Sequence, residues 1–160
     1  MIPGLTCQPA AAVIQAIFVC LLVVGAGWDI ASRRLPNWLT LSVAVLFIPW
    51  AIVLGMSLHD FLFAALAGGI CLALGFGLFQ LRVMGAGDVK LIVAMALWIG
   101  LTIELMQFIL YMGLVGGVLA MLFVAARLFA KRDLGELPYG VAIVLAGLYV
   151  QVGNSACFAW

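Results

Sequence analysis

Apolar residues in this chain come in long runs rather than at the alternating spacing of a half-buried strand. Stretches near 10–28, 38–56, 60–81, 89–103, 105–127 and 138–156 are almost unbroken hydrocarbon, and short connections between them hold the charge. An apolar run of about 17–25 residues matches a helix that crosses a bilayer, so the pattern predicts about six transmembrane helices. The fourth run is short. Its ~15 residues rise only ~22 Å against a hydrocarbon core of ~30 Å, which requires a tilt against neighbours or a first turn below the membrane surface.

The charges give an orientation. All seven basic residues, Arg33, Arg34, Arg82, Lys90, Arg127, Lys131 and Arg132, fall in the connections 28–37, 82–90 and 127–137. The turns marked by His59 and Asp60 and by Glu104 contain none. Basic residues concentrate in short cytoplasmic loops, so these three connections are expected to face the cytoplasm and both termini to face outward. Asp29 and Asp88 then share the cytoplasmic face.

Composition agrees with the pattern. Hydrophobic residues make up 68% and charged residues 8%, with a mean hydropathy of +1.35, where soluble domains have roughly 45–50% and about 25%. The chain reads as an all-α integral membrane protein, and 160 residues suit a single domain, 1–160. A net charge of +1 without a basic stripe argues against nucleic acid as a partner, and no glycine loop of the phosphate-cradling kind is visible. No Lys or Arg precedes the first run, so it reads as a retained span rather than a secretory signal peptide.

Cysteine and glycine placement narrows the chemistry. Cys7, Cys20, Cys71 and Cys157 form no Cys-x-x-Cys pair, which excludes a zinc ribbon on spacing. Cys20 and Cys71 are expected as small buried hydrophobes, and no spacing supports a bridge between Cys7 and Cys157. Gly113 and Gly117 form a Gly-x-x-x-Gly pair, and Gly68, Gly69, Gly75 and Gly77 cluster in the third run; both sets are expected to let helices approach closely.

Two carboxylates stand apart from this hydrocarbon. Asp29 lies near the end of the first span, where the negative end of the helix dipole disfavours it, so something other than capping must hold it there. Pairing with Arg33 or Arg34 is one such explanation. Pro36 stops a continuing helix and Asn37 is expected to cap the next. Asp88 follows Gly85-Ala86-Gly87. Helix capping would explain the acid but not the two glycines, which permit positive φ and let another segment approach the carboxylate. Two carboxylates within reach of each other cannot both ionise freely. One keeps a proton while the other accepts one from a water between them, which suits peptide hydrolysis by acid–base chemistry without a metal.

Asp29 with Leu35-Pro36-Asn37-x-Leu39-Thr40, then Gly85-x-Gly87-Asp88-x-Lys90, then Pro138-Tyr139-Gly140 before the last run, resembles the successive signatures of the prepilin peptidases, or type IV leader peptidases. The resemblance covers nearly the whole chain in order. It implies a membrane aspartic protease of the Gly-x-Gly-Asp type in the bacterial inner membrane, with Asp29 and Asp88 as catalytic pair, supported by Gly85, Gly87, Lys90, Pro36 and Asn37. The family removes a short basic leader, typically after a glycine, from pilin precursors on the cytoplasmic side.

Larger members carry a cytoplasmic insertion with paired Cys-x-x-Cys motifs and methylate the new N-terminus; this chain lacks that insertion. The short form resembles the peptidases of tight-adherence (Flp-type) pilus systems. That implies prepilins or pseudopilins as substrates, membrane lipid as surroundings, pilus assembly components as candidate partners, and no methylation, cofactor or metal. Lys90 is expected either to stabilise negative charge near Asp88 or to hold the loop against headgroups, and Pro138-Tyr139-Gly140 simply to start the last span. Two other readings remain open: another Gly-x-Gly-Asp protease cutting within membrane helices, and a small ion or proton transporter, which would want polar groups through mid-membrane.

Overall fold

The computed structural model describes residues 9–33, 35–130 and 137–153. They form seven helices and no strand: α1 Pro9–Ser32, α2 Asn37–Val45, α3 Phe47–Val53, α4 Leu58–Gln80, α5 Ala86–Ile99, α6 Ile103–Ala130 and α7 Tyr139–Gly153. Each expected apolar run is helical, and the second is broken in two. Pro49 causes the break, since it has no N–H for the carbonyl of Val45 and its ring crowds that position. The hydrogen bond from Trp50 N to Leu46 O is stretched to 3.4 Å at the same place.

Only α1, α4 and α6 are long and apolar enough by themselves to cross a membrane, while α2–α3 and α7 are shorter apolar segments. α5 has 14 residues, a rise of ~21 Å, and its burial accounts for its brevity. Leu91, Ile92, Ala94, Met95, Ala96, Trp98 and Ile99 are all buried by the surrounding helices, so α5 meets protein where the others meet lipid.

The close-packed partner of α5 is α4, and glycine makes the approach. A Cβ on Gly75 would stand 2.6 Å from Val89 Cγ1, and one on Gly68 3.0 Å from Leu97 Cδ2. Gly69 and Gly77 face open space, as do Gly113 and Gly117. The expected Gly-x-x-x-Gly packing therefore does not occur among the described residues. Gly116, one step away, is the residue that accepts a neighbour: its Cβ position lies 2.5 Å from Tyr139 Cε2. Cys71 is buried as expected, whereas Cys20 is exposed on α1; Cys7 and Cys157 lie outside the described residues.

Away from the charged connections the core is aromatic. Phe18 and Trp50 stand 4.1 and 5.4 Å from the ring of Trp98. Trp98 Nε1 donates to Val43 O at 2.8 Å. Val43 is in the last turn of α2, where carbonyls run out of partners within the helix. One side chain thus fills the centre and ties the last turn of α2 to α5. Outward, large apolar side chains such as Val13, Ile52, Leu74, Met121 and Phe129 are exposed, the surface a lipid solvent calls for.

Candidate active site

Five helix ends meet around one cavity of about 920 Å³, lined among others by Asp29, Arg33, Leu35, Asn37, Arg82, Gly85, Gly87, Asp88, Lys90 and Tyr139. The end of α1 brings Asp29, the first turn of α5 brings Asp88 and Lys90, and the starts of α2 and α7 bring Asn37 and Tyr139. Both aspartates chosen from the sequence therefore face one space, together with three of the basic residues. Arg34, Lys131 and Arg132 lie outside the described residues.

Asp29 is buried, at 3% exposure, in the last turn of α1. Its neighbour is the start of α7, which presents the backbone N–H groups of Gly140 and Val141 to the carboxylate. A Cβ on Gly140 would lie 2.7 Å from Oδ2 and 2.9 Å from Cγ. The positive end of one helix thus meets an acid at the negative end of another, which is what offsets an otherwise unfavourable position. Those amides act on the carboxylate as a whole, while Oδ2 itself has no hydrogen-bond partner among the described residues.

Asp88 is half-buried and occupies the third position of α5. Gly85, in extended conformation at φ −72 and ψ 148, is the N-cap, so the expected capping role of Asp88 does not hold, although an acid in the first turn still suits the dipole. Neither Gly85 nor Gly87 has positive φ. Their use is close approach: a Cβ on Gly87 would sit 3.1 Å from Leu35 Cβ and 3.4 Å from Leu35 O, and one on Gly85 3.0 Å from Asp88 Oδ2.

Pro36 does not line the cavity. It is the N-cap of α2 (φ −70, ψ 141), and it holds the preceding Leu35 in extended backbone. Asn37 is then the first residue of the helix and not its cap. Its side chain does something else, accepting from Lys90 Nζ at 2.8 Å. Lys90 thereby ties α5 to α2.

The sequence motifs contain Leu35, Tyr139 and Gly140, but only as context and as the start of the last span, whereas the structure brings all three to the site. Leu35 touches both glycine walls, since its Cδ1 lies 3.2 Å from the Gly140 Cβ position. The signal was a glycine at the second residue of an apolar helix, where bulkier residues are the rule. Arg33 and Arg82 adopt left-handed backbone, φ 54 and φ 58, at the ends of α1 and α4. After α4 the bonds Arg82 N to Phe79 O and Val83 N to Leu78 O complete a Schellman motif, with arginine where glycine is usual.

Among the described residues no three His, Cys, Asp or Glu side chains gather as metal ligands. The profile of the type IV leader peptidase family matches residues 16–123, a span that contains both aspartates and the glycines before Asp88. The chain belongs to the type IV leader peptidase family. It is also similar to a protein of Xanthomonas campestris pv. campestris named prepilin leader peptidase/N-methyltransferase, with 33% identity over 141 residues. That alignment covers 84% of this chain and 47% of the relative, so the chain spans about half the relative's length. No solved structure matches significantly. Family membership and the apolar helices mark a bacterial inner-membrane protein.

Proposed function

We propose that this family member is an aspartic endopeptidase that removes the leader from type IV prepilin-like precursors of the Flp type at the cytoplasmic face of the inner membrane. The observation that carries this reading is the convergence of Asp29 and Asp88 on one cavity. With one proton shared between them, the ionised carboxylate takes a proton from water as its oxygen attacks the scissile carbonyl carbon, and the protonated partner gives its proton to the carbonyl oxygen. Collapse of the tetrahedral intermediate breaks the C–N bond, with proton transfer to the departing nitrogen. In this mechanism the two acids exchange roles over the cycle.

The cavity is lined by Arg33, Arg82 and Lys90 of the charged connections, and an extended peptide is proposed to enter from that side. Both termini are proposed to face outward, with six apolar segments threading the membrane. The Flp-type substrate class and cleavage without methylation are proposed on the resemblance of this sequence to the peptidases of tight-adherence pilus systems. Co-expression with an Flp-type prepilin tests the reading. Asp29→Asn or Asp88→Asn is expected to leave the precursor uncut while the protein still inserts, each change removing an ionisable proton but keeping shape; full processing by either variant overturns the two-aspartate mechanism.

A further inference from the structure

The start of α7 fits Asp29 so closely that no residue larger than glycine can occupy position 140 without moving something. A Cβ there would stand 2.7 Å from Oδ2, 2.9 Å from Cγ and 3.2 Å from Leu35 Cδ1. Asp29 is 3% exposed and Leu35 9%, so a methyl at position 140 would push packed side chains. The start of α7 is itself seated from behind. The ring of Tyr139 lies over Gly116 of α6, whose Cβ position is 2.5 Å from Cε2 and 2.6 Å from the hydroxyl oxygen. A continuous stack therefore runs from Gly116 through Tyr139 and Gly140 to the carboxylate.

Orientation matters here because Oδ2 is buried without a hydrogen-bond partner among the described residues. A carboxylate oxygen normally accepts bonds that fix its rotamer and face. In this site the backbone of α7 limits the rotation instead, by contact and by the Gly140 and Val141 amides that face the group. The geometry points to Gly140, backed by Tyr139 on Gly116, as a positioning residue that aims the Asp29 carboxylate into the cavity for peptide cleavage. This rests on the reading of Asp29 as one of the two acids.

The test uses the full chain in detergent or proteoliposomes with one synthetic prepilin peptide, a basic leader ending in glycine followed by an apolar run. Gly140→Ala is expected to lower kcat ~10–100-fold, the order that a displacement of about 1 Å gives, with KM unchanged because the peptide's own contacts are untouched. Gly116→Ala pushes the Tyr139 ring from the α6 side without touching Asp29, and is expected to lower kcat in the same manner but less. Gly147→Ala, which crowds α7 against the flexible end of Met95, is the control and keeps kcat.

If Gly140→Ala does not fold, as judged by thermal melting, Gly116→Ala decides the matter. A folded Gly140→Ala or Gly116→Ala with the parent kcat overturns the positioning role. A loss confined to KM does the same. Activity of Asp29→Asn would instead remove the underlying two-acid mechanism, so the two failures are distinguishable.

Discussion

Lys90 Nζ donates a 2.8 Å hydrogen bond to Asn37 Oδ1, joining the first turns of α5 and α2 across the rim of the cavity. In the sequence these residues belong to separate motifs 53 positions apart. In the fold they form one latch that holds the Asp88 helix against the segment carrying Leu35.

If the latch works as a unit, its two members are not independent. Asn37→Ala and Lys90→Met are each expected to lower kcat/KM several-fold, a loss of about 1 kcal/mol for an exposed charge-assisted bond. The double variant should be no worse than the poorer single one, which is the mark of a shared interaction. Losses that multiply would mean that Lys90 acts elsewhere, on substrate or headgroups.

The α4–α5 interface makes opposite predictions for glycines two residues apart. Gly75→Ala places a methyl 2.6 Å from Val89 Cγ1, next to the turn that carries Asp88, and is expected to destabilise by ~1–3 kcal/mol. Gly77→Ala meets nothing within 4 Å and should stabilise the helix by ~0.5–1 kcal/mol through its smaller entropy loss. Thermal melting in one detergent compares them directly, and equal shifts would refute the close approach of these helices.

Much of this architecture was legible beforehand, and the exceptions have local causes. The long apolar runs pointed to an all-helical membrane protein, because burial in lipid leaves the backbone little choice but helix. Asp29 and Asp88 stood out because ionisable groups are costly beside hydrocarbon. The break at Pro49 was missed because hydropathy counts side chains, whereas proline acts through the backbone. Asn37 looked like a cap because caps are local, yet its partner Lys90 is remote in sequence. Gly113 and Gly117 had the right spacing for packing, but spacing does not say which side of α6 faces the protein. Gly116, on the other side, receives Tyr139. Gly140 was legible as part of the start of the last helix, but its contact with Asp29 was not, because that contact depends on the last helix starting against the end of the first.

Left-handed backbone at Arg82 gives another expectation. A non-glycine residue at φ 58 carries a cost of ~1–2 kcal/mol, so Arg82→Gly should melt at the same temperature or higher than Arg82→Ala, which keeps the strain. Arg82 lines the cavity, and its replacement by either residue is expected to weaken cleavage if the guanidinium helps hold the peptide. A gain in stability together with a loss of activity would show strain kept for function. Arg82→Gly melting below Arg82→Ala would contradict the left-handed turn.

The orientation in the membrane can be settled by chemical access. Arg33, Arg82, Asp88 and Lys90 line one cavity, while His59, Asp60 and Glu104 stand at the starts of α4 and α6, the other ends of the helices concerned. Single cysteines would be placed at Arg34, Arg82, Arg132, His59 and Glu104 after Cys7, Cys20, Cys71 and Cys157 are replaced by serine. A membrane-impermeant thiol reagent added outside spheroplasts is expected to label positions 59 and 104 and to spare 34, 82 and 132 until the membrane is opened, since the basic connections should stay inside. Each variant should first be shown to cut prepilin, so that labelling reports on a native arrangement. Labelling of position 82 from outside would put the cavity on the periplasmic side and would remove the cytoplasmic-face reading, while leaving the pairing of Asp29 and Asp88 intact.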